Sequence, residues 1–141
     1  MMIFCNTAMI EWISKKQATF ESSVFGTNFV AMKYGIERLR GLRYKLRMMG
    51  VPVDGPSLVY GDNMSVIKNS QTPESQLKKK NNTICYHAVR ESVAMGESLC
   101  AHVRSEDNYA DILTKVLTGQ KRRDLVQRIL YDIYDDHSKT T

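Results

Sequence analysis

The chain has 141 residues, 43% hydrophobic and 25% charged, which is ordinary for one soluble domain and leaves no room for several cores. No apolar run is long enough to span a bilayer, and Met1-Met2-Ile3-Phe4-Cys5 lacks the basic and apolar segments of a secretory leader, so an intracellular protein, not secreted and not in a membrane, is expected. The net charge of +5 favours an anionic partner, and the basic clusters along residues 38–47, at Lys78-Lys79-Lys80 and at Lys121-Arg122-Arg123 fit nucleic acid about as well as solvated faces.

In chain order, residues 2–6 and 9–14 are short and rich in β-branched and aromatic side chains, which predicts a hairpin turning at Asn6-Thr7-Ala8. Phe25, Phe29, Met32, Ile36, Leu39, Leu42, Leu46 and Met49 then recur every three or four residues, predicting one long helix with a buried stripe, capped by Ser22 or Ser23 and closed at Gly50. Leu58-Val59-Tyr60 reads as a short strand, apolar enough to be central in a sheet, and a helix follows from near Asp62. Residues 71–82 read as a polar loop, and Ile84–Met95 as a further helix. Residues 97–104 read as a strand with Leu99, Ala101 and Val103 on one face, Ser105 as a cap, and residues 121–134 as a last helix. The alternation predicts an α/β domain over 1–134 with a polar tail at 135–141, its mixed sheet carrying helices on its faces. The odd, widely spaced Cys5, Cys85 and Cys100 argue against a disulfide framework or zinc site and read as buried thiols.

In such sheets reactive groups gather beyond the carboxyl ends of strands, which is where Asp62 falls. Taken alone, Asp62 also reads as a helix N-cap, and Asp111 as a cap or exposed surface acid. His87, a lone histidine on a helix, reads as a surface or packing residue. Arg38 and Lys45 share the outward face of the long helix and fit either a solvated face or a phosphate backbone, as do Lys78, Lys79 and Lys80.

The segments "WISKKQATFESSVFGTNFVAMK", "VYGDNMSVIKNS", "KKKNNTICYHAVRESV" and "EDNYADILTKVL" resemble, in order and spacing, the ribonuclease H region of a copia-type retrotransposon Pol polyprotein, over about Ile3 to Tyr131. The resemblance implies a ribonuclease H-like fold and an ancestral fusion to a reverse transcriptase. It also implies hydrolysis of RNA in RNA–DNA hybrids by two Mg2+ ions held by four carboxylates. Several anionic ligands are needed because two dications about 3.5–4 Å apart repel each other. Carried onto this chain, the family's strand-end carboxylate falls on Asp62 and its late carboxylate on Asp111, and His87 matches a family histidine. The family's helix glutamate falls on Asn28, which offers a carbonyl but no charge. The remaining aspartate belongs to a first, central strand that precedes the hairpin, so the resemblance implies a sheet missing that strand and left as two fragments. With two of four acidic ligands, the isolated chain is expected to be inactive; the alternatives are a nucleic-acid-binding remnant without catalysis and a non-functional fragment.

Overall fold

The computed structural model describes residues 1–14, 24–72 and 83–130. The polar loop residues 73–82, with Lys78, Lys79 and Lys80, the expected caps Ser22 and Ser23, and the tail from 131 lie outside the described residues. The architecture is mixed α/β, consistent with the ribonuclease H-like expectation, and the chain divides into two compact units, Met1–Lys15 with Ser105–Thr141, and Lys16–Arg104.

In the first unit, β1 (Met2–Cys5) and β2 (Ala8–Trp12) pair antiparallel around Asn6, whose positive φ of 53° suits an asparagine at a tight turn. A 3-10 turn at Tyr109–Leu113 follows, with Tyr109 packing its ring on Phe4 at 5.8 Å and the Leu113 carbonyl accepting from the Ser14 hydroxyl. Helix α4 (Gly119–Ile129) starts behind Thr118, whose side chain accepts from the Lys121 amide, and buries Leu125.

The second unit holds the main core. Helix α1 (Val24–Met48) contributes Phe29, Met32 and Ile36; α2 (Met64–Gln71) contributes Val66 and Ile67; α3 (Thr83–Ala94) contributes Tyr86 and Val89. Phe29 lies edge-on to both Phe25 and Tyr86, with centroids 5.0 and 5.3 Å away. The expected stripe holds only in the first half of α1, since Leu39, Leu42 and Leu46 are half-buried and Met49 is exposed. The second half runs past the packed helices, and Gly50, at φ +76°, ends it in the left-handed conformation that glycine adopts without strain.

Strands β3 (Ser57–Gly61) and β4 (Ser98–His102) pair parallel, Leu58 opposite Leu99 and Tyr60 opposite Ala101. The described residues thus form two separate two-stranded sheets, as the resemblance implied, and β3 is not central in either. The Ser57 amide donates to the Glu97 carbonyl and the Val103 amide to that of Gly61, so odd-numbered residues of β3 face β4. Leu58 and Tyr60 therefore turn their backbone groups to an edge with no strand neighbour among the described residues. The core face of β4 is Ser98 and Cys100, whereas Leu99 is exposed; this reverses the expectation from its apolar alternation. Two small polar side chains fit because each is satisfied: Ser98 donates to Ser92, and the buried Cys100 thiol bonds Ser70. Burial pushes that thiol's pKa up, with the Ser70 bond acting the other way. The expectation of three buried cysteines holds for Cys100 alone: Cys85 is half-buried, and Cys5, at the hairpin, is exposed.

Glu97 ties α1 to the start of β4. Its carboxylate accepts from Arg40 at 2.7 Å and from Ser92 at 3.2 Å, and the Arg40 bond holds its pKa below the usual glutamate value. A carboxylate with a depressed folded pKa stabilises the protein above its unfolded value, and the contribution fades as pH falls through about 4.3 and below. Glu97→Gln is therefore expected to cost about 0.5–1 kcal/mol at pH 7, the range for a partly exposed pair, and to match the parent at low pH. Urea denaturation at pH 7 and pH 3 checks this, and a cost unchanged between the two would contradict it.

Candidate functional site

Asp62 and Asp111 fall in different units, so each is described in its own surroundings. Asp62 is the residue immediately after β3, half-buried, and precedes the first turn of α2. The cap is Asn63 and not Asp62: with φ −96° and ψ 99° it accepts from the Ser65 and Val66 amides at 3.1 and 3.3 Å. The local arrangement explains the choice, since the extended Asn63 backbone turns its own side chain back over the helix's unpaired amides. The strand end thus presents a carboxylate next to the residue that caps the helix. Asn63→Ala should cost about 1 kcal/mol, the usual value of such a cap, measured by chemical denaturation.

Asp111 lies in the 3-10 turn, and its surroundings were not expected. The cap of this turn is Asn108, which accepts from the Ala110 amide; Ser105, expected in that role, instead lends its carbonyl to the Lys121 ammonium at 2.9 Å. Asp111 is 3% exposed, contrary to the reading of a cap or surface acid. Its two carboxylate oxygens each lie 3.0 Å from Lys115 Nζ, and Lys121 Nζ stands 3.8 Å from Oδ2. Lys115, four residues on, was legible as a helical-spacing partner; Lys121 comes from α4, and only the fold brings it close.

Asn28 sits half-buried on α1 one turn in from Val24. His87 is exposed on α3 with its ring edge-on to Tyr86 at 5.3 Å, while the other face of the same helix carries the core. Arg90, one turn further along, donates to the Tyr86 hydroxyl at 2.9 Å and stands 5.0 Å from its ring centroid. Arg38 and Lys45 are exposed on α1. Sequence reasoning also missed Gln71, whose side-chain amide donates to the Cys100 carbonyl and closes that point of the outer edge of β4.

A pair of magnesium ions needs several carboxylates brought together. Two dications about 4 Å apart repel by roughly 16 kcal/mol at an effective dielectric of 20, four times the figure per unit charge squared. Among the described residues no three His, Cys, Asp or Glu side chains are grouped to hold a metal. The Asp111 charge is already met by the chain's own ammonium groups, and position 28 supplies none.

The two candidate carboxylates thus have different settings, Asp62 at a strand end in one unit and Asp111 buried and held by lysines in the other, and each stands by itself. Against known proteins, the chain is similar to two plant transposon polyproteins. It is 28% identical over 109 residues to "Retrovirus-related Pol polyprotein from transposon RE2" of Arabidopsis thaliana, a match covering 77% of the chain and 8% of that protein. It is 26% identical over 120 residues to the corresponding polyprotein from transposon RE1 of the same plant, covering 85% of the chain and 8% of that protein. The chain thus spans 8% of the length of these relatives and is similar to a region of a Pol polyprotein. No protein-family model and no solved structure matches it. No helix among the described residues is long and apolar enough to cross a membrane.

Proposed function

We propose that this chain is the ribonuclease H-like region of a copia-type transposon Pol polyprotein, descended from an enzyme that hydrolyses RNA in RNA–DNA hybrids, and that it no longer cleaves. The observation that carries the reading is Asp62, a carboxylate at the C-terminal end of a parallel strand whose capping duty is taken by its neighbour Asn63. The similarity to Pol polyproteins fits such a segment within a longer polyprotein, and the resemblance implies that a reverse transcriptase is part of it. The loss of cleavage rests on Asn28, which is neutral where the resemblance calls for glutamate, and on Asp111, beside which α4 sets Lys121, a cation outside the matched segments. A hydrolytic step needs charge that holds metal and polarises water, and that charge is no longer there to supply it.

The experiment is a hybrid-cleavage assay on Asn28→Glu with magnesium present. One restored carboxylate does not offset the repulsion of two dications, so the rate is expected to stay at the buffer background. Cleavage rising well above background on this single change would overturn the view that the loss involves more than one ligand position.

A further inference from the structure

We propose that two copies of this chain join edge to edge through β3, paired antiparallel about a two-fold axis at Val59. The two edges of the parallel pair differ. On β4 the Cys100 carbonyl accepts from the Gln71 side chain, whereas on β3 the outward amides and carbonyls of Leu58 and Tyr60 bond nothing among the described residues. Exposed edges are usually blunted by a charge, a proline or a bulge. Ser57–Gly61 contains no charge and no proline, and its pairing with β4 runs unbroken from Ser57 opposite Ser98 to Gly61 opposite His102. The side chains add an apolar face to this edge: Leu58 and Tyr60 are 55% and 61% exposed, and Leu99, opposite Leu58 on β4, is 46% exposed.

The edge is complementary to itself. Its free groups belong to residues two apart, so an antiparallel strand centred on Val59 sets Leu58 opposite Tyr60 of the second copy, and Tyr60 opposite Leu58 of the second copy. Each facing pair then exchanges both N–H···O bonds, and the same patch serves both copies, as a two-fold interface requires. Each pair also lays an aliphatic side chain against an aromatic one on the same face, which stabilises cross-strand neighbours. Charge agrees with the antiparallel sense. Arg43 holds the start of β3 by donating to the Ser57 hydroxyl and the Gly55 carbonyl, and Asp62 follows its end. With Ser57 opposite Gly61 of the second copy, the Arg43 end of each copy lies beside the Asp62 end of the other, whereas a parallel arrangement would set like ends together. Two short strands bury less than the roughly 1,200 Å² of a standard interface, so the dimer is weak and dissociates on dilution through about 1–100 µM. The proposal rests on β3 alone and is independent of the ribonuclease reading.

The test is sedimentation velocity on the full chain across that concentration range, with amide hydrogen exchange on the same samples. Thiols are kept reduced, because Cys5 is exposed. The mass is expected to rise from monomer to dimer, and exchange at the Leu58 and Tyr60 amides to slow with it; the Val59 amide, which faces β4, should change least. Leu58→Lys with Tyr60→Lys removes both cross-strand pairs and charges the edge, and should weaken association at least about tenfold. Leu99→Lys lies on the same apolar face one strand away from the edge, and should associate like the parent. All three positions are exposed, and thermal melts verify that each variant folds. A chain that stays monomeric throughout, or a dimer whose Leu58 and Tyr60 amides exchange as in the monomer, would overturn the proposal. So would a loss with Leu99→Lys as large as with the edge lysines, which would point to stacking through the apolar face instead.

Discussion

Phe29→Ala is expected to lower the unfolding free energy by about 3–5 kcal/mol, the range for emptying a fully enclosed phenylalanine site. Phe29 has no exposed surface; it joins α1 to α3 through its edge contact with Tyr86 and packs on Phe25 of its own helix. Removing the ring takes away its burial and both aromatic contacts, and leaves a cavity in the core that it shares with Met32, Val89 and Tyr86. A typical domain has about 5–15 kcal/mol in all, so the variant should sit close to its unfolding midpoint. Phe29→Leu, which refills most of the volume, should recover more than half of the loss. Far-UV circular dichroism in urea is the right probe, because the single tryptophan, Trp12, is on β2 in the other unit and reports on different structure. If Phe29→Ala unfolds at the parent's midpoint, the core described for this unit is wrong.

Asp111→Asn is expected to destabilise the chain by about 2 kcal/mol. Breaking a fully buried ion pair costs about 3–5 kcal/mol because the abandoned charge stays out of water. Here the abandoned charges are Lys115 and Lys121, whose side chains are 50% and 32% exposed and can turn to solvent, so the cost is smaller. The sign separates two roles for the same residue. A carboxylate poised for metals among other carboxylates is repelled by them when no metal is bound, and its neutralisation then stabilises the protein. A carboxylate that anchors lysines loses attraction when neutralised, and stability falls. Lys115→Met should cost less, about 1 kcal/mol, since Lys121 remains near the carboxylate. Chemical denaturation without divalent ions measures both variants, and a gain in stability for Asp111→Asn would show that the lysines do not hold it.

Much of this was legible because it is local. The period of Phe29, Met32 and Ile36 and the glycine at 50 are written in short windows, and α1 follows from them. The strand at Leu58-Val59-Tyr60 and the acid beyond it were equally plain, since a short apolar run followed by a polar turn has few other solutions. Adjacent competitors were harder. Asp62 and Asn63 are both good caps, as are Ser105 and Asn108 for the next turn, and the winner is decided by backbone angles that neighbours impose. The buried face of β4 was misjudged because Ser98 and Cys100 owe their burial to Ser92 and Ser70, which come from other helices. In the same way Asp111 looked exposed until α4 delivered Lys121 across a gap of ten residues. Long-range partners of this kind leave no mark on a periodicity.

On the function we propose, a ribonuclease H-like segment has kept its strand-end carboxylate and lost the charge needed for cleavage. The measurement that tests it most directly is hydrolysis of a labelled RNA–DNA hybrid by the purified chain, with Mg2+ and then with Mn2+, alongside Asp62→Asn. No product above the buffer blank is expected from either protein with either metal. Cleavage by the parent chain that disappears in Asp62→Asn would contradict the claim, and would show that Asp62 still works in an intact metal site.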